Sequence, residues 1–267
     1  MGFWVWLYHV LNVQMETPTS YGWFHLLWIG LIVCGSALMG VAAVKLRQKG
    51  EKRLLFGVWI WMVLFEALKQ VLFSVSLKDG AFVWDYQWYA FPFQFCSSPF
   101  FILPLAIFPK RERLRASALC FLATYSFFAG LAVFAYPNDV FVSELVIDLQ
   151  TMTHHGAQVL LGFYAAARLI HNGQVRLKNY FGAVCLFAAL VAVADVMNLL
   201  APLVTDETFN MFFISPFYPC TLVILDRVYA ALPYGLFLIV YLCGFSFAAF
   251  LVYELIAFAA RLRKKKV

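Results

Sequence analysis

The groups in this sequence best able to do chemistry are one thiol, two neighbouring imidazoles and a carboxylate–ammonium pair. Cys96 lies in FPFQFCSSPFFILPLAIF, an apolar run interrupted by Pro92, Pro99 and Pro104. A proline removes its own N–H and displaces the carbonyl four residues back, which for Pro99 belongs to Phe95. Ser97 and Ser98 compete further for the backbone. Irregular backbone at membrane depth survives only where protein covers it or a wet cavity adjoins it, so Cys96 is expected at a broken helix beside a pocket. His154 and His155 follow Gln150, Thr151 and Thr153 in another apolar run. Adjacent helix positions point about 100° apart, so at most one imidazole joins a given site and the pair cannot hold one metal from one face. Glu66, Lys69 and Gln70 stand at i, i+3 and i+4, on one helix face; Asp195 and Asn198 stand at i and i+3. Gln94 lies two residues before the thiol.

The elements that must position these groups are membrane helices. Of 267 residues, 64% are hydrophobic and only 13% charged, about half the charge of a soluble domain. The 19% aromatic share suits interfacial belts of Trp and Tyr. Apolar runs near 23–44, 54–76, 91–108, 116–135, 149–170, 180–202 and 231–258 can each cross a core of about 30 Å, the third only just. Residues 1–20 hold a shorter stretch, read as an interfacial helix; without a basic leader or cleavage site, no signal peptide is expected. Seventeen of the twenty basic residues fall on alternate connections, and Asp79, Asp85, Asp139, Glu144, Asp148, Asp206 and Glu207 on the others. The positive-inside rule then places the N-terminus outside and the C-terminus, with its basic tail at 261–267, inside. Residues 209–225 are apolar but broken by Pro216 and Pro219, and an eighth span would carry RLRKKKV outside; a re-entrant or interfacial segment is expected instead.

The fold class is therefore an all-α polytopic transmembrane bundle of about seven spans, occupying residues 21–260, in the cell membrane. Basic blocks beside spans serve topology and anionic lipid, so the net charge of +6 does not imply nucleic acid. Six cysteines without CxxC spacing form neither a disulfide framework nor a zinc site. Helical rise puts Glu66, Lys69, Gln70, Gln94, Cys96, His154, His155, Asp195 and Asn198 in one outer slab. Cys96 and the histidines lie at depths that agree within a turn, which leaves a thiol–imidazole contact open. A polar network that only fixes helix packing is the plain alternative.

The segments FPFQFCSSPFF, TMTHHGAQVLLGFY and DVMNLL…FNMFFISPFYPCTL resemble, in order and spacing over most of the chain, the YwaF family of bacterial membrane proteins, which is related to transmembrane protein 164. The resemblance implies a cysteine-dependent phospholipid acyltransferase, with Cys96 as nucleophile and either His154 or His155 as base. The expected function is acyl transfer or hydrolysis on membrane lipids at the outer leaflet, with no cofactor and no metal. Gln70, Gln94 and Asn198 are the expected oxyanion donors, Lys69 or Arg227 the phosphate contacts, and Asp195 a partner for the histidine or for Lys69. The alternative is a proton-coupled or small-solute transporter using Glu66, Lys69 and Asp195 as relay, or a non-enzymatic structural membrane protein.

Overall fold

The computed structural model describes residues 2–137 and 140–264. Met1, Asp139, Lys265 and Lys266, which entered the readings of the first helix, the acidic connections and the tail, lie outside the described residues. The chain is an all-α bundle. Five stretches are long and apolar enough to cross a membrane: Trp23–Lys45 (α2), Gln48–Leu72 (α3), Glu112–Ala135, Leu177–Leu203 and Tyr234–Lys264 (α10). The third of these joins α5 (Glu112–Phe121) to α6 (Phe127–Ala135) through a π-helical turn at Leu122–Ser126, and the fourth is mostly α8 (Leu177–Leu200). A sixth long helix, α7 (Leu145–His171, 27 residues), is just as extended but carries the polar residues of the site. The nine-residue α1 (Phe3–Leu11) buries none of its side chains, consistent with a helix too short to span.

Two of the expected spans differ from the structure. The run at 91–108 is not one helix. It forms 3-10 turns at Trp88–Ala90 and Phe95–Ser97, then α4 (Pro99–Ile107), nine residues long. Pro99 sits in the first turn of α4, where a missing N–H costs nothing, so it starts a helix where a kink was expected. The segment still crosses the depth of the bundle. Gln70, near one end of α3, bonds the Ala90 carbonyl, while Arg115, which pairs with Glu51 near the other end, bonds the Ala106 carbonyl. The second run stops at Leu72 instead of near 76. The chain then turns into a hairpin, β1 (Val75–Lys78) against β2 (Ala81–Trp84), through Asp79 (φ 51°) and Gly80 (φ 78°). Asp-Gly is the pair that a tight hairpin turn selects, because both residues must take positive φ.

Residues 209–225 form no span. They fold into a 3-10 turn at Met211–Phe213 and irregular backbone before α9 (Leu225–Ala231). Met211, Phe212, Ile214 and Ser215 are buried, so the segment is packed into one end of the bundle. The basic residues Arg261, Arg263 and Lys264 continue α10.

The core is aromatic. Phe187 on α8 stacks on Tyr125 at 4.6 Å and lies 5.5 Å from Phe95, and Tyr241 and Phe245 of α10 close the cluster. At the basic end, Glu51 is fully buried and meets two guanidiniums, Arg115 from α5 and Arg168 from α7. Arg168 also donates to the Ala43 and Leu46 carbonyls at 2.9 and 3.0 Å, the unpaired acceptors at the end of α2.

Candidate functional site

The break before α4 exposes the Cys96 carbonyl, because the α-helical ladder begins only at Pro99. Two side chains of α7 take it: the Nε2 of His154 at 2.9 Å and the Nε2 of Gln158. Their spacing, i and i+4, puts both on the face of α7 toward the broken segment. A carbonyl only accepts, so the His154 Nε2 carries the proton and the neutral ring leaves Nδ1 as a bare lone pair. That Nδ1 is buried and has no partner among the described residues. Phe100, the second residue of α4, holds the ring edge-on at 5.2 Å, and its own carbonyl is bound by the Trp59 indole at 3.0 Å. His155 points elsewhere: its Nδ1 donates to the Thr151 carbonyl at 2.8 Å within α7. The structure therefore brings His154, not His155, to the Cys96 residue, and the contact it makes is to the backbone oxygen.

Beside this pair lies a charged cluster. Glu66, 5% exposed, accepts from Lys69 at 2.8 Å and Gln70 at 2.8 Å through Oε1, and from Gln150 of α7 at 3.1 Å through Oε2. Both amide protons of Gln70 are engaged, one by Glu66 and one by the Ala90 carbonyl, while its Oε1 accepts from the Tyr86 hydroxyl at 2.7 Å. Burial pushes the Tyr86 phenol up from its ordinary value, and the Glu66 carboxylate adds to this, so the group stays a donor.

The other predicted polar residues form a second group that seats residues 210–215. Asn198, fully buried, accepts from the Met211 N–H at 2.8 Å and donates to the Met211 carbonyl at 2.9 Å. Gln94 accepts from the Phe212 N–H at 3.1 Å and donates to the Asn210 carbonyl at 3.2 Å. Asp195 accepts from Tyr234, whose hydroxyl also lies 2.8 Å from the Ile214 carbonyl. Asp195 makes no ion pair with Lys69 among the described residues. These bonds steady Phe212 and Phe213, both at φ 57°, a strained conformation for bulky side chains. Arg227 is exposed on α9 and joins neither group.

Sequence reasoning missed Gln158, four residues after His154 in an apolar stretch; the i, i+4 spacing was the available signal. It also missed Ser98, whose buried hydroxyl has no partner among the described residues. Among the described residues no cluster of His, Cys, Asp and Glu has the makings of a metal site.

Residues 19–257 match the TMEM164 family. No curated protein and no solved structure matches the chain. The match covers nearly the whole bundle, from the start of α2 into α10, and takes in both polar groups. The chain is a multi-pass integral membrane protein and belongs to the TMEM164 family.

Proposed function

We propose that the protein transfers acyl chains between membrane lipids, with Cys96 as nucleophile and His154 as its base. The observation that carries this reading is the seat of His154. Its Nε2 is anchored on the Cys96 carbonyl, and its Nδ1 is buried with no partner among the described residues, the Cys96 thiol included, so the thiol must turn toward it to hand over a proton. In the first half-reaction the thiol proton passes to Nδ1 and the sulfur adds to a lipid ester carbonyl. Collapse of the tetrahedral adduct expels the lysolipid alkoxide, which takes the proton from His154 and leaves an acyl-thioester. A second lysolipid hydroxyl then attacks the thioester, His154 again receives the proton, and the thiol is restored. Water in that role would make the reaction a hydrolysis.

The oxyanion needs donors free to serve it. Gln70 is fully engaged, and Gln94 and Asn198 hold residues 210–213. The hydroxyl of Ser98, buried without a partner among the described residues, is better supported. Lys69, 19% exposed at its side chain, supplies positive charge near a phosphate or the thiolate. We place the site at the outer leaflet of the cell membrane, on the charge alternation of the connections.

The test is acyl exchange in proteoliposomes between a labelled phosphatidylcholine and an unlabelled lysophospholipid. Wild-type protein is expected to move the label; Cys96→Ser and His154→Ala should each lower the rate by about a hundredfold or more, the span typical of a lost base. His155→Ala should stay within a few-fold. Transfer undiminished in Cys96→Ser overturns the reading.

A further inference from the structure

A groove of about 470 Å³ runs between α2 and α3, with α7 as its floor. Its walls extend from Trp28 to Met39 on α2, and its floor from Thr153 to Tyr164 on α7. Each stretch is twelve residues, eleven rises or about 16 Å of helix. That is close to half of a hydrocarbon core of about 30 Å, so the groove is about as long as one leaflet is deep, and it lies near the middle of both helices. Its lining is almost wholly apolar. The polar capacity is concentrated at the basic end, where Arg53 stands exposed at one wall and Tyr164 is buried in the floor. Among the described residues Arg53 makes no ion pair, and the Tyr164 hydroxyl has no partner. Both helices that form the walls bury little of their surface within the bundle, so the groove opens sideways toward lipid.

We infer that this groove holds one glycerophospholipid of the leaflet at the basic end, its phosphate on Arg53 and one acyl chain along α7. The occupant follows from charge and shape. A cation without a partner at the mouth of an apolar slot as long as one leaflet is deep matches a phosphodiester with an acyl chain below it, and arginine engages phosphate oxygens in pairs. Gly57 keeps the slot open: a Cβ there would meet nothing within 4 Å, so a larger side chain would occupy the groove and not strain the backbone. The head group sits at the end of α7 away from His154. The inference therefore stands whether or not Cys96 does acyl chemistry.

Native mass spectrometry of the detergent-released protein, titrated with phosphatidylglycerol and separately with the matching diacylglycerol, tests it. Wild type is expected to retain one phosphatidylglycerol through collisional activation. Gly57→Leu and Arg53→Ala should each retain about tenfold less, the factor that 1.4 kcal/mol carries. Gly30→Leu, equally open to a Cβ but outside the groove, should behave as wild type. Diacylglycerol, lacking the phosphate, should be held no better than phosphatidylglycerol is by Arg53→Ala. Thermal melts of all four proteins guard against misfolding, and Arg53→Ala, an exposed position, reports on the site even if Gly57→Leu unfolds. Retention by Arg53→Ala equal to wild type, or by a folded Gly57→Leu, means annular lipid only and overturns the inference. So does diacylglycerol held as tightly as phosphatidylglycerol.

Discussion

Glu51 shows how a single side chain can decide the stability of a bundle end. Its carboxylate has no exposed surface and is the counter-charge for both Arg115 and Arg168, each nearly buried itself. Removing it would leave Arg168 with carbonyl acceptors alone and Arg115 with only the exposed Glu112, at 3.5 Å, as counter-charge; breaking a buried pair in this way typically costs about 3–5 kcal/mol. Glu51→Ala is therefore expected to lower the thermal midpoint in detergent sharply, and Glu51→Gln less so, because the amide oxygen can still accept. A midpoint unchanged in Glu51→Ala would mean that water reaches the pair. The sequence did not disclose this arrangement. Arg115 and Arg168 read as topology charges, because their partner lies 64 and 117 positions away and nothing local marks it. Glu66 with Lys69 was legible, since an i, i+3 spacing announces a pair on one face. The uses of Gln94 and Asn198 were not. Their type and depth were visible, but the backbone they hold belongs to a segment whose path depends on two prolines and two strained phenylalanines.

At the scale of elements, the contact between α6 and α7 governs how the histidines are presented. Gly130 on α6 lies against α7 so closely that a Cβ there would come within 2.8 Å of the His155 carbonyl and of the Gln158 side chain. Backbone cannot yield as a side-chain tip can. Gly130→Ala is expected to push the helices apart, cost about 1–3 kcal/mol, and loosen the hold of Gln158 on Cys96. If acyl exchange depends on that hold, the variant should lose rate while remaining folded; activity and melting point equal to wild type would show that α6 gives way freely. The broken segment before α4 was readable from its prolines, though not the way it breaks. Pro99 proved to be a helix start, and the carbonyl set free was that of Cys96, one residue beyond the expected Phe95. The hairpin carried an Asp-Gly signal, masked because the apolar pattern of α3 continues into Phe73 and Val75.

For the whole molecule, the connections joining α2 to α3, α4 to α5 and α7 to α8 lie at one end with the last turn of α10, as the Glu51 cluster and the contact of Arg263 with His171 at 3.3 Å require. These carry the basic blocks, so reporter tags at the C-terminus are expected to be shielded in intact cells and tags in the β1–β2 turn to be reachable. The reverse pattern would invert the bundle and move the Cys96 site to the inner leaflet. α3 and α7 run antiparallel and are joined twice: Glu51 with Arg168 at one end, Glu66 with Gln150 at the other. The two joints are fifteen residues apart on α3 and eighteen on α7, about 22 and 27 Å of helix, so they stand nearly a membrane's depth from each other. Two helices fastened at both ends behave as a strut. A carrier that exposed its centre alternately by sliding α3 past α7 would have to open both joints in the same step, with buried charge stranded at each. The two joints make α3 and α7 a fixed frame around the polar groups between them.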